Sequence, residues 1–255
     1  MDKLKGILGF GLLAMFLWVS QDALAATSLS SATSAGTQWL QAQVQTDGSV
    51  ANAAGIATNM QAESEALESL TSLNAAGSAP LSLTLGLVNA ETYDNTENLS
   101  RKIVANTELG GSSSALLTAL LANQGRNGGF GELSGYQSTS FDTAFALKAL
   151  NAAGQGDSDA AHQAIFYLLN RMATNGSWSD WPGIGTSYST ALVIQALSPY
   201  RTQLTSAGSA ITAGINYLKS QRQSSTDWGE TFINAQVVLA LASANAGPSL
   251  VTDTA

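Results

Sequence analysis

Cysteine is absent from the 255 residues, histidine occurs once, and Lys and Arg together number ten. Without cysteine there can be no disulfide, no thiolate-ligated zinc and no cysteine nucleophile. With one histidine, a multi-histidine metal site is excluded, and a Ser-His-Asp triad would rest on His162 alone. That residue stands in Asp159-Ala-Ala-His162, at the start of an amphipathic stretch, and reads as a surface residue. Charge is scarce as well, at 11% of residues and net −8. Binding to nucleic acid or to anionic lipid needs clustered bases, which this composition does not supply. Small and neutral polar residues fill the surface instead.

Long apolar runs are missing too, except at the N-terminus. Lys3 and Lys5 precede an apolar segment from Ile7 to Val19, and Ala23-Leu24-Ala25 follows it. A basic start, a short apolar core and small residues before a cleavage point form the secretory-signal pattern. The segment is shorter than the roughly 20 residues a bilayer span requires. Residues 1–25 therefore read as a signal peptide cleaved after Ala25, and no membrane span is expected once it is removed. The mature chain is expected to be secreted, periplasmic or displayed at a bacterial cell surface. The two bases and two acids of the leader cancel, so the remainder keeps net −8.

What is present is a repeat. Counting from Gly36, an aromatic falls at offset 3 (Trp39), Leu at 4, Gln at 7 and Gly48 at 12. Counting from Gly214 gives Tyr217, Leu218, Gln221 and, at offset 14, Trp228. From Ala164 the same register holds Tyr167, Leu168, Gly176 and Trp178; from Leu116 it holds Leu120, Gly128 and Phe130. Each segment is followed by a second, drier one: 65–73, 142–150, 189–197 and 234–241. Apolar residues recur at three- and four-residue spacing in both kinds, which is the helical signature. Asp142, Ser189 and Asn234 stand where an N-cap belongs. Gly77, Gly154 and Gly247 stand where a helix stops.

The unit is helix, glycine-containing loop, helix, glycine. The long interval between the first two register starts leaves room for a degenerate unit with helices at 81–89 and 99–107, giving about five hairpins. The first helix of each pair has one wet face, and the second is apolar nearly all round. An inner layer of buried helices behind an outer layer of amphipathic ones satisfies both patterns; a straight solenoid is the alternative arrangement.

The register Gly-x-x-aromatic-Leu-x-x-Gln with a following Gly-x-Trp resembles the QW-type repeat of squalene and hopene cyclases. The segment Asn127-Gly-Gly-Phe-Gly131, followed by Asp142-Thr-Ala-Phe-Ala-Leu-Lys-Ala-Leu150, is similar to the repeat of protein prenyltransferase β-subunits. Thioester domains of α-macroglobulins and cobalamin carriers use similar repeats. The resemblance spans residues 36–247. It implies an all-α fold, an (α/α) toroid of about five hairpins over residues 26–248, with a linker-like tail at 249–255. Six hairpins close such a ring, so five imply an open or incomplete one. Activity does not follow from fold. The cyclases' Asp-x-Asp-Asp segment has no counterpart, Asp157-x-Asp159 being the nearest. The zinc-holding Asp/Cys/His set and the Gly-Cys-Gly-Glu-Gln thioester segment fail for lack of cysteine.

Site candidates follow from the loops between first and second helices. The repeat residues Trp39, Gly48, Gly128, Phe130, Gly176, Trp178 and Trp228 read as structural. Tyr136, Trp181 and Tyr188 lie outside the register and, with Asp180, Asp227 and Glu230, are the ligand-binding candidates. Asp142, at the head of a dry helix, is the candidate catalytic acid if it is not simply a cap. No metal and no cofactor is expected. These features favour a non-catalytic module for a small molecule, glycan or protein. The alternatives are an enzyme of cyclase or polysaccharide lyase type using cavity carboxylates, and a cobalamin-type carrier.

Overall fold

The computed structural model describes residue 31 and residues 33–51, 57–179, 186–223 and 227–244. The expected leader, the tail at 249–255, Asp180, Trp181 and Gly247 lie outside the described residues. The described chain is helical, in the expected pairs. Helix α1 (residues 33–43) precedes α2 (Asn59–Ser72), and α3 (Leu81–Ala90) precedes α4 (Thr96–Glu108). Then come α5 (Ser114–Leu121) with α6 (Ser140–Ala152), α7 (Asp159–Arg171) with α8 (Ser187–Leu197), and α9 (Thr205–Ser220) with α10 (Thr231–Ser243). The degenerate hairpin expected at 81–89 and 99–107 is α3 and α4. A two-residue ladder, β1 (Phe130–Gly131) against β2 (Ser138–Thr139), closes the loop before α6 with Phe130 opposite Thr139.

The chain forms two compact units that divide between Thr84 and Leu85. The first has its own small core of Val44, Leu70 and Leu81, joined by Leu40 and Val50. In the second, α4, α6, α8 and α10 lie side by side, each packed on the next, and α5, α7 and α9 cover α4, α6 and α8. This is the two-layer nesting that the two kinds of helix require. Every residue of α6 from Asp142 to Leu147 is buried, whereas α7 buries Ala161, Ala164, Ile165 and Leu168 and leaves Phe166 exposed. Apolar area drives this layering at roughly 25 cal/mol per Å² buried.

The helix starts differ from the expectation. The caps of α6 and α8 are Thr139 and Thr186, three residues ahead of Asp142 and Ser189. Each threonine hydroxyl accepts the backbone N–H of the residue three on, at 2.9 Å from Asp142 and 3.0 Å from Ser189. A hydroxyl ahead of the apolar stretch reaches an orphan N–H that an aspartate inside the first turn cannot. Asn234 likewise lies inside α10, whose cap position is Glu230. After α2 both Asn74 and the expected Gly77 are left-handed, at φ +50° and +55°; Asn74 comes first, and Ala75 N–H donates to Leu70 O at 2.8 Å.

The loop aromatics hold the layers together. Phe130 and Trp178 are fully buried and Trp228 nearly so. Each is pinned through its backbone N–H to a side chain of the following inner helix: Phe130 to Thr143 Oγ1 at 2.9 Å, Trp178 to Thr190 Oγ1 at 3.1 Å, Trp228 to Asn234 Oδ1 at 2.7 Å. Both indoles donate Nε1–H backwards to the preceding outer helix, Trp178 to Leu168 O at 2.7 Å and Trp228 to Leu218 O at 2.6 Å. Trp39, expected to play a matching structural part, is instead 65% exposed, while its register counterparts Tyr167 and Tyr217 are each 7% exposed. Tyr167 is covered by the hairpin before it, where its hydroxyl donates to Ser138 O and its ring abuts Gly129.

The register glycines are notches. Gly128 and Gly176 have φ of +84° and +86°, and a Cβ there would stand 2.8 Å from Gln163 O and 2.5 Å from Ala213 O, the backbones of the next outer helices. Gly48 meets the backbone at Leu83 and Thr84 in the same way. Left-handed backbone and close approach thus both demand glycine.

Three expectations follow. Gly176→Ala lowers stability in urea unfolding by about 1–3 kcal/mol for the backbone strain alone, and further for the contact. Gly86→Ala, in open space on α3, raises it by about 0.5–1 kcal/mol. Trp178→Ala costs about 3–5 kcal/mol, the usual range for emptying an indole site, in the same assay.

Candidate functional site

The sequence-expected site residues do not form one cluster. Asp142, buried at 6% exposure, is occupied by the helix start: Thr139 Oγ1 donates to its Oδ2 at 2.6 Å while its own N–H returns to that hydroxyl. It is the reciprocal partner of the cap. Asp227 organises the turn before α10, its Oδ1 accepting Gly229 N–H at 2.7 Å and Asn234 Nδ2–H at 3.2 Å. The Gly229 amide, then Asn234, hold its carboxyl below the usual carboxylate range. Glu230 is exposed at the cap position of α10 without a side-chain cap bond. Tyr136 is 59% exposed on the turn between β1 and β2. His162 is exposed, as expected.

Tyr188 is the candidate that the fold places in company. Its ring centroid lies 6.0 Å from Phe141 and 4.8 Å from Phe232, and Phe141 lies 4.9 Å from Phe145, all at tilted angles. Phe141, Tyr188 and Phe232 each stand second in their helices, α6, α8 and α10, so the row runs across the first turns of three neighbouring inner helices. Glu97 stands second in α4. Its Oε1 accepts Arg101 Nε–H at 2.9 Å, and the Arg101 guanidinium lies 5.0 Å from the Phe145 centroid. The row therefore runs from an ion pair, through Phe145, Phe141 and Tyr188, to Phe232, which is 47% exposed.

One turn along the same stripe come Leu192 in α8 and Gln236 in α10. One turn further is Gln195, whose Nε2 donates to Gln236 Oε1 at 3.0 Å. In α8 the part-exposed positions are Ser187, Tyr188, Leu192 and Gln195. Three of them share the i, i+4, i+7 face, the side of the helix its neighbours leave open. Tilted aromatic pairs contribute about 0.5–1.5 kcal/mol each beyond area, so the row is rigid before any ligand arrives. Chemically it offers apolar surface bounded by fixed amides and a neutralised ion pair.

The sequence contains the signal for this row. An aromatic stands two residues before each side chain that receives a loop amide: Phe141 before Thr143, Tyr188 before Thr190, Phe232 before Asn234. Aligning Asn234 with Asp142 and Ser189 slips the register by one residue. That slip hides Phe232, whereas Phe141 and Tyr188 stand one residue ahead of Asp142 and Ser189 in either alignment, just outside segments that begin at those residues. Asp180 and Trp181 lie outside the described residues, so the expected carboxylate pair with Asp227 has no geometry here.

No family model matches the sequence, and no curated protein is similar to it. Among solved structures the chain is similar to ent-copalyl diphosphate synthase from Streptomyces platensis, with a TM-score of 0.62 at 19% identity, over 82% of this chain and 45% of that one. The chain thus spans less than half the length of that relative. Among the described residues no helix is long and apolar enough to cross a membrane. The likeness is one of fold: this chain is an all-α protein of helical hairpins with the terpenoid cyclase-like fold.

Proposed function

We propose that this chain is an exported, non-catalytic binding module that seats an apolar or aromatic small molecule on the row Phe141–Tyr188–Phe232. The observation that carries the reading is the row itself: Tyr188 in contact with Phe141 on one side and Phe232 on the other, on the open stripe of helices otherwise filled with Ala, Leu, Val and Thr. Aromatic side chains supply large contact area at little conformational cost, and a few fixed polar groups beside them orient a ligand. The acid best placed by sequence for catalysis, Asp142, is committed to the start of α6, which favours binding over chemistry. Export rests on the leader, whose basic, apolar and small-residue regions occur in the secretory order.

The test is binding of an apolar dye such as Nile red to the mature protein. Phe232→Ala weakens binding at least tenfold with little change in thermal stability, because the ring is half exposed; Tyr188→Ala weakens it likewise. Tyr136→Ala, on an exposed turn, leaves it unchanged. Equal binding by the Phe232 and Tyr188 variants overturns the reading. For export, N-terminal sequencing of protein recovered outside the cytoplasm of a bacterial host is expected to begin Ala26-Thr27-Ser28; a start at Met1 refutes cleavage.

A further inference from the structure

The side-chain amide of Gln236 is held in one orientation by its neighbour in α8. Gln195 Nε2 lies 3.2 Å from the backbone oxygen of Gln236 and 3.0 Å from its side-chain Oε1. A backbone carbonyl can only accept, so the Gln195 atom that meets it is the nitrogen. That nitrogen can only donate, so the Gln236 side-chain atom beside it is the oxygen. Gln236 Nε2 is thereby turned away from Gln195 with both hydrogens available. Among the described residues no acceptor meets it.

Gln236 is only 8% exposed. Even so, its Nε2 is not one of the fully buried polar atoms that lack a partner, so the donor reaches the surface. The helix period decides which surface. Phe232, four residues before, and Leu239, three residues after, lie on one flank of Gln236 and are 47% and 49% exposed. Val237 and Ala240 lie on its other flank and are buried. Neighbours at three and four residues share a face. The donor therefore emerges one turn from Phe232, beside the ring that ends the aromatic row. A ligand seated on the rings and reaching one turn along α10 strips the water from this donor. One that offers no acceptor leaves it unsatisfied, at a cost.

We propose that Gln236 is the specificity-determining residue of the row, and that the ligand is an apolar molecule carrying a neutral oxygen acceptor, such as a ketone or ester carbonyl. This rests on the reading of the row as a binding surface and adds the polar group that its ligand carries. The acceptor is neutral because the surroundings are. Neither α8 nor α10 contains a charged residue. The Arg101 guanidinium is held by Glu97, and Lys148, the base on the same stripe of α6, has an interaction of its own. A carboxylate placed there would shed its water against apolar rings and receive one neutral donor in return. Gln195 has the supporting part: it touches the amide, not the ligand's oxygen, and keeps the donor pointing outwards.

Two probes of one shape separate the hydrogen bond from the apolar contact. 2-Acetylnaphthalene and 2-isopropenylnaphthalene differ in a carbonyl oxygen against a methylene group. Equilibrium dialysis of the mature protein against each, at neutral pH, gives the ratio of ketone to alkene affinity. That ratio is expected to be higher in the wild type than in Gln236→Leu by about fivefold or more, the effect of one ordinary hydrogen bond. The alkene binds both proteins alike, which also reports that the variant is folded. Gln236→Glu keeps the length of the side chain and removes the donor, so it lowers the ratio as well; it decides the matter if the leucine variant does not fold. A ratio left unchanged by both substitutions overturns this inference and leaves the row standing as an apolar site. Neither probe bound by the wild type overturns the row itself, and this inference with it. Tighter binding of 2-naphthoate than of the ketone overturns the neutral acceptor.

Discussion

The structure depends on one repeated attachment, in which a loop aromatic is locked between an outer helix and the inner helix that follows. The backbone N–H at Phe130, Trp178 and Trp228 is received by Thr143, Thr190 and Asn234, and the indole N–H of the two tryptophans reaches back to the outer helix. A large ring alone would bury area without fixing orientation. Two hydrogen bonds in opposite directions fix both the ring and the path of the loop. The inner helix can then be almost free of charge, because its position does not rely on surface contacts.

The glycine notch is the other half of that attachment. Where Gly128 and Gly176 lie, the next outer helix approaches so closely that a single methyl group would collide with its backbone. The hairpin of α3 and α4 lacks this loop. Its short connection at 91–95 is tied differently, through buried Lys102, which bonds Glu91 O and Asp94 Oδ1 at 2.7 and 2.6 Å, and through the paired amides of Asn89 and Asn106. Polar bonds there do what an aromatic does elsewhere.

Much of the fold was legible because the repeat couples helix period to loop composition. The helix pairs, the degenerate hairpin at α3 and α4, and the burial of Phe130, Trp178 and Trp228 all follow from spacing. The capping residues were less legible, since Thr139 and Asp142 are both good caps on paper and only the start of hydrogen bonding decides between them. Tyr188 stands at a repeat position rather than outside the register; Phe141 matches it one residue ahead of the aligned segments, and Phe232 is hidden by a one-residue slip in aligning α10. Trp39 kept the register yet is exposed, because a register position is buried only where a neighbouring hairpin covers it.

By itself the sequence determined the alternation of wet and dry helices, the glycine and aromatic loop pattern, and the exclusion of thiol and multi-histidine chemistry. Those properties are local or compositional, and local spacing fixes which face of a helix is apolar. Only the tertiary structure decided that Phe141, Tyr188 and Phe232, far apart in the chain, touch as one row, and that Glu63 is buried. Contact between helices depends on which elements lie side by side, and the state of a carboxyl depends on burial and nearby charge; neither is written in the period of a single helix.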